Sequence, residues 1–169
     1  MTALKPTGEM TLGPFFPREF GQGNSDLVLQ NKDVKGEIIE ITGRIVQADG
    51  RALDNVIVEI WQASPDGRYD DPAFFGWGRA ATDAQGVYRF RTAMPGAPAG
   101  RAAHINVIIL YSGLMRHLQT TLFFSNDPDP VLDAVPSPRR SLLVAKKSGN
   151  TYSFDIRLRG EGETPFFDD

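Results

Sequence analysis

Cysteine is absent from the 169-residue chain, and histidine occurs only twice, as His104 and His117. The first absence excludes a disulfide framework, a zinc-thiolate site and a thiol nucleophile, and it fits a reducing compartment. The second leaves little imidazole for acid-base or metal chemistry. Long apolar runs are lacking as well: stretches such as VIILY (residues 107–111) are far too short to span a bilayer. The opening MTALKPTGEM has no apolar core of the kind an export signal carries, so a cytoplasmic location and no membrane partner are expected. Nor is there an excess of basic charge. Eighteen Lys and Arg stand against 21 Asp and Glu, for a net charge of −3, so nucleic acid is not an expected partner.

A sustained three-and-four apolar spacing is also missing, which argues against long amphipathic helices. What is present instead is a period of two, or short apolar runs, between clusters of turn residues. This pattern predicts strands over residues 37–47, 56–62, 79–82, 87–92, 103–111, 117–124, 141–146 and 151–159. Ala48-Asp49-Gly50-Arg51, Ser64-Pro65-Asp66-Gly67, Asp83-Ala84-Gln85-Gly86 and Lys147-Ser148-Gly149-Asn150 supply turn chemistry between them, several as hairpins. Nothing between the strands is long enough for crossover helices. The expected fold is therefore all-β, a two-sheet β-sandwich with irregular loops over residues 36–169, preceded by an extended N-terminal arm over residues 1–35 that contacts a partner. A short helix is expected after Asn126, and the tail GEGETPFFDD, with its two phenylalanines, is expected to dock.

The usual catalytic signatures are missing. No G-x-S-x-G elbow occurs, neither histidine has an acid at a motif spacing, and FFGWGR lacks the lysine of a phosphate cradle. A metal is the remaining route to chemistry. In HINVIILY, residues i and i+2 share a strand face, so His-x-His would aim two imidazoles at one ion, whereas His104 is followed by Asn106. Ferric iron is well served by phenolate and imidazole, and Tyr69, in DGRYDDP, is placed to point toward His104. Taken alone, Tyr69 and His104 read more readily as a satisfied packing pair. Tyr88, Tyr111 and Tyr152 fit strand packing, with Tyr111 on the face opposite His104.

The run ITGRIVQADGRALDNVIVEIWQASPDGRYDD, followed by FGWGRAATDAQGVYRFRTAMPG and AAHIN, resembles the intradiol ring-cleaving dioxygenases. The likeness extends from GPFFP to FDIRLRGEGETPFFDD, and the tail is similar to that of the α-type subunit of the two-subunit members. The resemblance implies that catalytic subunits hold ferric iron through two tyrosines and two histidines. Here Tyr69 and His104 match two of these positions, while Pro98 and Asn106 stand at the others. It therefore implies a vestigial metal site at Tyr69, Pro98, His104 and Asn106, with no metal and no catalytic residue in this chain, and with Fe(III) held by a β-type partner subunit.

By the same resemblance, Gly13, Pro14 and Phe15 line a substrate pocket at the interface between the subunits, joined by Ser112 where an arginine assists a substrate carboxylate. Phe15 stands where tyrosine is common and cannot donate a hydrogen bond. Arg116 lies four residues beyond Ser112 and is the alternative cation. The implied reaction inserts both atoms of O2 into a small aromatic catechol and cleaves the ring to a muconate, within a higher oligomer of αβ pairs. Three alternatives stand beside this reading. One is a related subunit for another para-substituted catechol such as 4-sulfocatechol. The second is a self-sufficient dioxygenase with Tyr111 completing the iron shell, and the third is a non-catalytic β-sandwich ligand-binding module.

Overall fold

The computed structural model describes residues 16–167, so Gly13, Pro14 and Phe15 lie outside the described residues. Its strands are β1 (Ile38–Val46), β2 (Ile57–Gln62), β3 (Trp77–Ala81), β4 (Val87–Ala93), β5 (His104–Leu110), β6 (Leu118–Phe123), β7 (Lys146–Ser148), β8 (Thr151–Ser153) and β9 (Ile156–Arg157). They form two sheets, ordered β4-β1-β8-β7 and β3-β2-β5-β6, with β9 pairing β1 beside β8. The period-two sequence explains the layering. Ile39, Ile41 and Ile45 of β1 turn inward while Glu40 and Arg44 turn out, and Ile105, Val107 and Ile109 of β5 meet them across the sandwich.

Two predicted strands are corrected. Residues 141–146 begin as a 3-10 turn, Ser141–Leu143, because the Arg140 guanidinium donates to the carbonyls of Val135 (2.8 Å) and Asp133 (2.7 Å) and keeps the chain turning. Residues 151–159 break into β8 and β9 because Asp155 places its carboxylate on the Arg44 amide at 2.9 Å, interrupting the ladder along β1. The Asp83–Gly86 turn also links different sheets, since β3 pairs β2 and β4 pairs β1. The helix expected after Asn126 is α2 (Pro130–Ala134), capped by the Asp129 side chain and opened by proline at its first position.

Sheet edges are liabilities unless covered. Residues 16–35 cover one side: Asn24 accepts the Arg79 amide at the edge of β3, and Ser25 accepts the Arg91 amide at the edge of β4. The short helix α1 (Leu27–Gln30), capped by Asp26, sinks Leu27 fully into the core between the sheets. On the other side, the tail covers β6. The Phe167 amide donates to Gln119, Thr120 donates to the Pro165 carbonyl, and Phe166 and Phe167 pack on the apolar clusters. Among the described residues, no helix is long and apolar enough to cross a membrane.

Candidate functional site

The outward face of the β3-β2-β5-β6 sheet carries the residues of interest, and β5 delivers them to its two ends. His104 starts the strand and Ser112 lies two residues past its end, so the two are separated by about 25 Å of extended chain.

At the first end, Ser64-Pro65-Asp66-Gly67 closes a tight turn, Gly67 to Ser64 at 2.9 Å, that throws Tyr69 over His104. The Tyr69 hydroxyl lies 3.0 Å from His104 Nε2, and Asn106 Nδ2 donates to the same hydroxyl at 3.3 Å. His104 Nδ1 is 2.7 Å from the Ala102 carbonyl. A carbonyl only accepts, so Nδ1 carries the ring proton and Nε2 accepts from Tyr69. Burial pushes the Tyr69 phenol up, against a downward pull from the Asn106 amide, and it pushes the His104 imidazole down. Both groups are therefore neutral at neutral pH. Pro98 lies in the loop packed on the same turn: a Cβ placed on Gly67 would sit 2.5 Å from the Ala97 carbonyl and 3.5 Å from Pro98 N. Behind the pair, Arg101 Nε donates to Asp129 Oδ2 at 2.7 Å, and that oxygen also accepts the Ala102 amide. Burial alone would raise the Asp129 carboxyl, but Arg101 and the Ala102 and Val131 amides outweigh it and hold the group below the usual carboxylate range.

The donor set of this end does not fit the ferric iron that the resemblance assigns to catalytic subunits. Such an ion requires a closed set of anionic oxygen and imidazole donors. One phenol and one imidazole are satisfied by each other, Asn106 turns its amide N–H toward Tyr69, and Pro98 has no donor side chain. Tyr111 does not join them, because it packs against the core on the far face of the strand. Among the described residues, no three His, Asp or Glu side chains converge as a metal cluster.

At the second end, Ser112 and Phe16 line one cavity of about 210 Å³, together with Arg18, Asp54, Asn55 and Tyr111. Phe16, the first described residue, thus lies beside the same cavity as Ser112. Phe16 stacks on Phe20 at 5.5 Å, and the Arg79 guanidinium lies 3.9 Å over the Phe20 ring while pairing with Glu59 through Nε at 2.7 Å. Ser112 and Arg116 each make further interactions.

Between the ends runs a mostly apolar groove of about 260 Å³ lined by Trp61, Trp77, Asn106, Ile108, Glu59 and Gln119, among others. Trp61 stacks on Tyr69 and meets Phe75 edge-on at 5.8 Å, with Phe75 exposed and Trp61 and Tyr69 partly so. Sequence reasoning missed Asn55, Arg79, Arg101 and Asp129. Their partners lie 20 to 39 residues away, apart from the helix cap made by Asp129, which DPDP announces.

Comparison with known proteins gives this geometry a family. A family profile described as "Dioxygenase" (Dioxygenase_C) matches residues 11–160. The protocatechuate 3,4-dioxygenase alpha chain of Burkholderia cepacia is 34% identical, over 99% of this chain and 100% of its own length. The beta chain from the same organism is 36% identical over 81% of this chain and 71% of its own. Among solved structures, the dioxygenase domain of a dioxygenase carbohydrate-binding protein fusion from Streptomyces sp. SirexAA-E superposes with a TM-score of 0.67 at 28% identity, covering 92% of this chain and 99% of that domain. The chain belongs to the intradiol ring-cleaving dioxygenase family.

Proposed function

We propose that this chain is the α-type subunit of a protocatechuate 3,4-dioxygenase, which opens protocatechuate with both atoms of O2 to give 3-carboxy-cis,cis-muconate while a β-type partner holds the ferric iron. The observation that carries the proposal is the donor deficit at Tyr69, His104, Asn106 and Pro98, where the phenol, the imidazole and the Asn106 amide nitrogen hydrogen-bond within the chain. The end-to-end match to an alpha chain, against partial coverage of a beta chain, supports the same reading.

The work left to this chain is binding and orientation. Gly13, Pro14, Phe15 and Ser112 wall the shared pocket, Phe15 through apolar contact with the ring and Ser112 through its hydroxyl toward the ring substituent. The cavity that joins Ser112 to Phe16 supports this role. The exposed aromatic groove of Trp61, Trp77 and Ile108 supplies an apolar face for the partner. We place the assembly, a higher oligomer of αβ pairs, in the cytoplasm, in keeping with the absence of cysteine.

The test is co-expression with the β-type partner. The reading predicts stable co-purification, a tyrosinate-to-iron charge-transfer colour in the complex, and turnover of protocatechuate. A lone chain that binds its own ligand and ignores the partner would favour the binding module instead. Ser112 in place of a cation favours a comparison of protocatechuate with 4-sulfocatechol. Ser112→Arg should improve use of the carboxylate substrate selectively, and greater turnover of 4-sulfocatechol by the unaltered complex would reassign the substrate.

A further inference from the structure

We infer that the outer face of the β3-β2-β5-β6 sheet is a relay for one-electron oxidation, in which an electron lost from Trp61 or Trp77 is replaced from Tyr69 while the phenol proton passes to His104. The relay needs only this chain's own rings and is independent of the partner subunit proposed above. Trp61 and Trp77 are the only tryptophans in the sequence. They stand directly opposite each other on β2 and β3, which places their Cβ atoms about 4.5 to 5.5 Å apart on one face, and Phe75 packs against both rings. Trp61 then stacks on Tyr69, with ring centroids 6.1 Å apart and planes 17° from parallel. Electron exchange falls steeply with distance, so this stacked contact favours Tyr69 as the donor.

A phenol gives up an electron readily only when its proton has somewhere to go. The Tyr69 hydroxyl lies 3.0 Å from His104 Nε2, and Nδ1, 2.7 Å from the Ala102 carbonyl, keeps the ring proton and leaves Nε2 as the acceptor. The step balances: a Trp61 radical cation, the Tyr69 phenol and the neutral imidazole become closed-shell Trp61, a Tyr69 phenoxyl radical and a His104 imidazolium. A diffusible one-electron reductant such as ascorbate, itself left as a radical, resets the relay as the proton returns from His104 to the phenoxyl oxygen. Two other tyrosines lack this outlet. Tyr88 donates to the Phe154 carbonyl at 2.6 Å, which cannot hold a proton, and Tyr152 lies 5.3 Å beneath the Lys147 ammonium, which resists loss of an electron from the ring. No cysteine offers a competing sink. In a family that handles O2, the benefit is that the two indoles of the groove are restored before their radicals are permanently oxidised.

The experiment is pulse radiolysis of the full chain in azide solution. Azidyl radicals, one-electron oxidants that are reduced to azide, take an electron preferentially from indole. The expected result is an indolyl absorption that decays into a phenoxyl absorption with first-order kinetics, at a rate independent of protein concentration. Tyr69→Phe, which keeps the stacked ring and deletes only the hydroxyl, should abolish that conversion, and His104→Gln should slow it about ten-fold or more. The conversion should also slow measurably in D2O, a check that needs no substitution at His104. Phenoxyl formation that is unchanged in Tyr69→Phe, or whose rate scales with protein concentration, would overturn the relay. An unchanged rate in His104→Gln or in D2O would overturn the transfer of the proton with the electron.

Discussion

The two ends of β5 differ in how they spend their polar groups. At the His104 end, phenol, imidazole and amide hydrogen-bond to one another, and Asp129 gathers Arg101 and several backbone amides. At the Ser112 end, the arm is clasped by its carbonyl and a stacked ring, and a cavity is left between Phe16 and Ser112. The first end spends its polar groups on one another and on the backbone, which in the reading proposed above is a ligand shell turned into structure. The second leaves a cavity open, and in the same reading it presents a wall. On that reading, a fold can lack metal donors at one end of a strand and keep its value through the other end, because sheet register ties the two together.

That contrast predicts large stability effects with no kinetic effect at one end, and a smaller stability effect accompanied by a rise in KM at the other. Asp129→Ala has the greatest expected consequence. It leaves Arg101 without its buried partner and α2 without a cap, and should cost about 3 kcal/mol or more in chemical denaturation. Next, His104→Ala should cost about 2 kcal/mol by emptying a buried site and orphaning the Ala102 carbonyl. The kcat of the complex should stay unchanged, and a kcat loss would break the distinction between the ends.

At the opposite end, Gly21→Ala should cost about 1 to 2 kcal/mol, because the new Cβ would sit 2.5 Å from Ala81 Cβ. Here KM should rise as the arm lifts off β3. The smallest effect is on pH dependence. Burial depresses the folded-state pKa of His104, so the unfolded chain binds its proton first as pH falls. The His104 contribution is complete above its unfolded value near 6.5 and is lost as pH drops from there through the depressed folded value. His104→Gln should flatten the stability profile in that window, and an unchanged profile would show that the imidazole is not held neutral.

Much of the fold was legible because burial in a sandwich imposes alternation. The strands around Ile39, Ile41 and Ile45 and around Ile105, Val107 and Ile109 announce themselves in this way. The 141–146 segment did not, since Leu143 and Val144 read as a strand while the Arg140 guanidinium, bonded to carbonyls five and seven residues back, holds the chain in a turn. At the site, the pairing of Tyr69 with His104 was legible from strand parity and a turn. The clasp of Asn55 on Phe16 was not, because a side chain reaching a carbonyl 39 residues away leaves no local pattern. The preference of asparagine for left-handed backbone is the one local signal at LDNV, and the sequence reading did not use it. The arm's service as an edge cover for β3 and β4 was equally hidden, being carried by backbone groups that any residue possesses.

The most direct measurement of whether this chain lends a wall and not a metal is iron content and visible absorption of the isolated chain, beside the αβ complex, after expression in iron-replete medium. The account predicts a colourless chain with far less than one iron per molecule, and a complex coloured by the partner's tyrosinate. Stoichiometric iron in the isolated chain, with an absorption band abolished by Tyr69→Phe, would contradict it.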